Sequence, residues 1–246
     1  MNRRAILAAL PASALLVCAA CTSSPGAPRA DSEVVPPSAV MEFSVLYGQN
    51  CAGCHGANGE GGAAIALASP VFLAIADDTV IRRTAATGVP GTSMPAFAQS
   101  AGGMLTEKQI EALVRGIRSW AKPDALGIQI PPSYLAQGPG DPQRGADAYR
   151  IYCSSCHGPN GGGGSKASSI VDGSFLALVS DQSLRTIVIA GRPELGAPDW
   201  RSNVEGRPMS AQEISDVVAW LSSQRPTLAG RPYPIASTNP ANGGSR

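Results

Sequence analysis

Two short runs, CAGCH at 51–55 and CSSCH at 153–157, constrain this chain more than anything else in it. Each is Cys-x-x-Cys followed directly by His, and together they hold the only two histidines. Cys18 and Cys21 are the remaining cysteines. A structural zinc site would place its two CxxC pairs roughly 15–20 residues apart; here about a hundred residues separate them. A thioredoxin-like CxxC would sit at a strand-to-helix junction of a βαβ unit, and no such pattern is present. Plain disulfides would give no reason for a histidine after each pair. Cys-x-x-Cys-His is the attachment signature of c-type haem. Two thiols on one turn form thioethers to the vinyl groups of one porphyrin, and the adjacent His becomes the proximal iron ligand.

The motifs belong to an internal repeat. Tyr47 and Tyr149 each lie four residues before the first cysteine. CHGANGEGG (54–62) parallels CHGPNGGGG (156–164), and residues 72–97 align with 175–200 without a gap. Thr106 with Gln109, and Ser210 with Glu213, have capping-box spacing. Ile110, Leu113, Val114 and Ile117, and likewise Ile214, Val217, Val218 and Leu221, recur at i, i+3, i+4, i+7 as one apolar helix face. Shorter helices are predicted at 39–50 and 143–152, and middle helices at 77–87 and 180–190. Asp77 and Ser180 are their N-caps, Gly88 and Gly191 their stops. With aromatics at only 5%, domains this small need a staple or a large cofactor.

On these residues the chain resembles the class I cytochrome c family, as a tandem di-haem member, over roughly residues 39–225. The resemblance implies an all-α fold of two cytochrome c-like domains, each of three to four helices around a covalently bound haem c. The implied layout is a signal peptide at 1–20, a tether at 21–38, domains at 39–121 and 143–225, a Pro/Gly-rich linker at 122–142 and a disordered tail at 226–246. Leu126, Ile128, Ile130, Tyr134 and Leu135 imply that the linker lies against the domains.

With both histidines used, a methionine thioether is the usual distal ligand. Met94, in GTSMPAF on a Pro/Gly-rich loop, sits where class I cytochromes carry theirs. Met41 reads as packing, and Met104 as the hydrophobe expected at a helix start. The second repeat has Ala197 at the aligned position. Two readings remain open there. Met209 ligates the second iron, although it also fits a hydrophobic staple with Ile214. Alternatively the sixth position is open, or weakly held by a group such as Lys166. Arg82, Arg83 and Arg185 are candidates for haem propionates, with exposed helix charge as the alternative.

The N-terminus reads as an export signal: Arg3 and Arg4, an apolar Ala5 to Val17, then Cys18-Ala19-Ala20-Cys21. The last four resemble a bacterial lipobox, with Cys18 where Leu is usual, making Cys21 the lipid attachment site. An ordinary signal cut near Ala20 is the alternative. The net charge of +1, without charge runs, excludes nucleic acid as partner. The expected function is a periplasm-facing carrier of single electrons between respiratory or photosynthetic membrane complexes, an electron carrier rather than an enzyme. Its partners are redox proteins, and the membrane through the lipid anchor. The alternative is a haem sensor or peroxide-reducing enzyme using an open position on the second haem.

Overall fold

The computed structural model describes residues 35–227. The export signal, Cys21, most of the tether and most of the tail lie outside the described residues. The chain divides into a unit Met1–Pro37 and one compact unit Ser38–Arg246 that contains both repeats.

All regular structure among the described residues is helical: α1 Phe43–Asn50, α2 Ala52–His55, α3 Pro70–Ile75, α4 Asp78–Thr87, α5 Glu107–Arg118, α6 Pro142–Tyr152, α7 Ser154–His157, α8 Gly173–Leu178, α9 Asp181–Ala190 and α10 Ala211–Ser223. α1–α5 and α6–α10 repeat one arrangement. Thr106 and Ser210 make full capping boxes with Gln109 and Glu213. Asp77 and Ser180 cap α4 and α9 through the amides of Val80 and Ser183. Each such cap contributes about 1 kcal/mol. α3 and α8 were not predicted. Each has six residues, too few to show a period, yet Ser69 with Pro70 at the first turn, and Asp172, are ordinary start signals.

The first and last helices of each repeat cross closely, and glycines permit it. A Cβ on Gly116 of α5 would meet the Phe43 ring at 2.0 Å, and one on Gly145 of α6 would meet the Asp216 carbonyl of α10 at 2.0 Å. Aromatics fill the space beside each crossing. Tyr47 meets Trp120 edge-on at 5.0 Å, and Tyr149 stacks on Trp220 at 4.3 Å.

The linker is anchored at some points and exposed at others. Leu126 and Tyr134 pack against the core. Ile128, Ile130 and Leu135 do not, being 99%, 90% and 53% exposed. Polar contacts hold the segment instead. The buried Arg185 of α9 donates to the carbonyls of Ser133 and Tyr134 and to Ser215 Oγ. Arg185 thus fits neither reading, propionate partner or exposed helix charge: it is buried and its guanidinium is occupied by the linker. Arg82, its aligned partner, forms a surface ion pair with Glu111 at 3.3 Å.

Asp216, nearly inaccessible on α10, accepts from the Asp141 amide at 2.7 Å, from Arg144 Nε at 2.9 Å and from Gln212 at 2.9 Å. Burial pushes its carboxyl up, but these donors outweigh that and hold it below the ordinary value. A carboxylate lowered in the folded state stabilises above its unfolded pKa, near 3.9, and loses that contribution as pH falls through the folded value. Arg144 is largely exposed, so the effect is modest, about 1 kcal/mol or roughly 2–4 °C. Thermal melts at pH 6 and pH 3 should therefore show a smaller pH-dependent drop in Asp216→Asn than in the parent chain.

Candidate functional site

α1 ends at Asn50, and Cys51 joins it directly to α2, so both thiols and His55 lie on one turn. Cys153, Cys156 and His157 sit identically after α6. All four thiols are free. Burial, aided by the neighbouring cysteine, pushes Cys51 up to about 11 and Cys153 up to about 12.

The ring Nδ1 of His55 lies 2.8 Å from the Ile65 carbonyl, and that of His157 lies 2.8 Å from the Ser168 carbonyl. A carbonyl only accepts, so Nδ1 carries the proton in both rings. Nε2 is left with its lone pair outward, the tautomer that ligates a metal. The loop after each histidine is braced the same way, by the amide of Gly61 on the His55 carbonyl and of Gly163 on the His157 carbonyl, both at 2.9 Å. Tyr47 and Tyr149 donate to the Gly56 and Gly158 carbonyls. The residues shared by the repeats thus build a histidine holder twice.

Cys51, Cys54, His55 and Met94 line one cavity of about 520 Å³, whose remaining walls are mostly apolar. That volume falls within the ~300–1,000 Å³ usual for cofactor sites. Two thiols and an imidazole nitrogen at one end, a thioether on the same cavity and aliphatic walls fit a covalently attached porphyrin. Met104 is 81% exposed and Met41 41% exposed, and neither lines this cavity.

The second repeat contributes to the first cavity. Phe175, Gln182, Thr186 and Arg192 line it, as does Tyr134 of the linker. Arg192 donates from Nη2 to the Gly62 carbonyl at 2.6 Å, and its charge works with burial to lower His55. Arg192 was not singled out from sequence. The gapless alignment contained a signal, since Arg192 stands opposite Val89.

The distal loops are closed by the same backbone bond, although Pro193–Leu195 of the second forms a 3-10 turn that the first lacks. The Val89 amide donates to the Met94 carbonyl at 3.0 Å, and the Arg192 amide to the Ala197 carbonyl at 2.9 Å. Ala197 therefore occupies the backbone position of Met94. Met209 is buried, at 2% exposure. Its amide donates to the Trp200 carbonyl at 2.8 Å, as that of Leu105 does to the Phe97 carbonyl at 2.8 Å. Lys166 is exposed and lies two residues before Ser168, whose carbonyl holds His157.

A model of the protein family described as "Cytochrome C oxidase, cbb3-type, subunit III" matches residues 38–115 and 140–221. The chain is 23% identical over 216 residues to a Corynebacterium efficiens protein named "Cytochrome bc1 complex cytochrome c subunit", covering 83% of this chain and 70% of that one. A Mycobacterium bovis protein of the same name is 24% identical over 182 residues, covering 72% and 60% respectively. Among solved structures, a chain of a reducing HAO-like protein complex from Kuenenia stuttgartiensis is similar at 21% identity and a TM-score of 0.42, over 79% of this chain and 100% of that one.

Proposed function

We propose, from the premise that this chain belongs to the cbb3-type cytochrome c oxidase subunit III family, that it carries single electrons between membrane complexes on the periplasmic side of a bacterial membrane. Its cofactor is covalently bound haem c, which supplies a reversible one-electron change at iron. The observation that carries the reading is the histidine holder built twice, with both Nδ1 protons fixed on carbonyls.

Each residue then has a defined task. Cys51 with Cys54, and Cys153 with Cys156, would hold a porphyrin by adding their S–H bonds across its two vinyl groups. His55 and His157 present Nε2 from a ring that the carbonyl bond keeps from turning. Met94, which lines the first cavity, would supply a thioether to the iron, and a thioether favours the reduced state. The apolar walls of that cavity would keep water from a bound haem. The internal repeat supports domain boundaries at 39–121 and 143–225.

Lipid attachment at Cys21 holds the carrier at the membrane surface, on the Cys18-Ala19-Ala20-Cys21 pattern. No helix among the described residues is long and apolar enough to cross a membrane. The shared name of the bacterial relatives supports an electron-transfer complex of the bc1 type as the partner. Mild-detergent extraction of native membranes and affinity purification of the full chain tests this. Co-elution of subunits of a haem-containing membrane complex is the expected result. A chain released by salt alone and eluting without partners would contradict both the anchor and the partner.

A further inference from the structure

We propose that the haem of the second repeat has an open sixth position and binds small uncharged diatomic ligands, of which carbon monoxide is the simplest. The proposal rests on haem attachment at Cys153, Cys156 and His157, and goes beyond electron carriage.

Three observations carry it. First, Ala197 stands at the backbone position of Met94. The same amide-to-carbonyl bond fixes both residues, and the preceding glycine packs on the following proline in both loops. A Cβ on Gly88 would meet the Pro95 carbonyl carbon at 2.6 Å, and one on Gly191 that of Pro198 at 2.6 Å. The loop is thus closed by the same contacts while its ligating side chain is replaced by a methyl group.

Second, Met209 is committed elsewhere. It fills the place of Leu105, which has no ligating atom and sits in the repeat whose cavity Met94 already lines. That place is a packing position in both repeats. Met209 belongs to the buried core, and its sulfur lies 3.9 Å from the Asn203 side-chain amide, which in turn donates to the Asp199 carbonyl at 3.1 Å. Third, no other strong ligand is at hand. The chain has no third histidine, and Lys166 is an exposed residue of the segment whose Ser168 carbonyl braces His157.

The same loop argues for binding rather than peroxide reduction. Turnover of peroxide needs a distal group free to move a proton. Asp199 is held by the guanidinium of Arg201 at 2.6 Å, Glu194 pairs with Arg192, and Glu205 points to solvent. Ala197 itself offers only a methyl group, which has no proton to move and suits an uncharged diatomic molecule.

The test is carbon monoxide added to the dithionite-reduced, full-length protein in detergent, read as the Soret shift, with haem per chain determined separately. The expected result is two haems per chain, of which about half the haem absorbance shifts. Ala197→Met, which restores the side chain found at 94, should weaken carbon monoxide binding at the second haem at least about tenfold. Met209→Leu, which copies position 105, should leave it unchanged and guards against misfolding of the first variant. A parent chain that does not respond, or a response that appears only in Met209→Leu, overturns the open position. If all the haem responds and Ala197→Met removes half of the response, the open position stands and the role given to Met94 fails. One haem per chain overturns the di-haem reading and this site with it.

Discussion

Replacing Cys51 and Cys54 together by Ser should leave one covalent haem per chain and unfold the first repeat. The cavity that the two thiols line is about 520 Å³. The cavity is partly open to solvent, so without haem its mostly apolar walls are left wet and unpacked. A whole domain is stable by only about 5–15 kcal/mol. Leaving those walls bare removes a large part of that margin. The aromatic contacts of Tyr47, Phe43 and Trp120 are too few to replace a porphyrin. The haemochrome spectrum should show half the parent haem per chain, and far-UV circular dichroism a loss of helix beyond α2. The second repeat supplies Phe175, Gln182 and Arg192 to the same cavity, so its melting temperature should fall as well. A variant with full helicity and half the haem would show that the cavity is not what the fold depends on.

Met94→Ala should be the next largest effect, with its readout at the iron and not in the fold. Met94 is partly exposed on its loop, so truncation costs little packing. Loss of the thioether removes the preference for the reduced state that a His/Met pair confers. The expected fall in reduction potential is roughly 100 mV or more, where 59 mV is a tenfold change for one electron. Spectroelectrochemical titration should show the upper of two one-electron steps moving down and the other staying in place. Carbon monoxide should then bind the first haem as well. An unchanged potential would assign the ligand to another residue, and Met104 would be tested next.

The elements legible in the sequence are those whose signals are local and periodic. The CxxCH turns, the capping boxes at Thr106 and Ser210 and the gapless pairing of α4 with α9 needed no tertiary information. The alignment also carried the Met94–Ala197 difference, and the backbone bonds of the two loops place those residues alike. What escaped depends on packing at a distance. Arg185 reads as a helix charge, yet the linker encloses it. Ile128 and Ile130 look like core residues by type and stand in solvent, because polar bonds hold the linker instead. Arg192 reaches the histidine loop of the other repeat, a contact between residues 130 positions apart that no local pattern encodes. α3 and α8 were missed for lack of length, although their caps were present in the sequence.

Electron carriage at the membrane is tested most directly by following the c-type haem absorbance of native membranes during respiratory turnover. The expected result is reduction of the haem on adding a respiratory substrate, reoxidation on admitting oxygen, and loss of both changes when the gene is deleted. Haem that holds one redox state throughout turnover, while substrate is oxidised at an undiminished rate, would contradict the account.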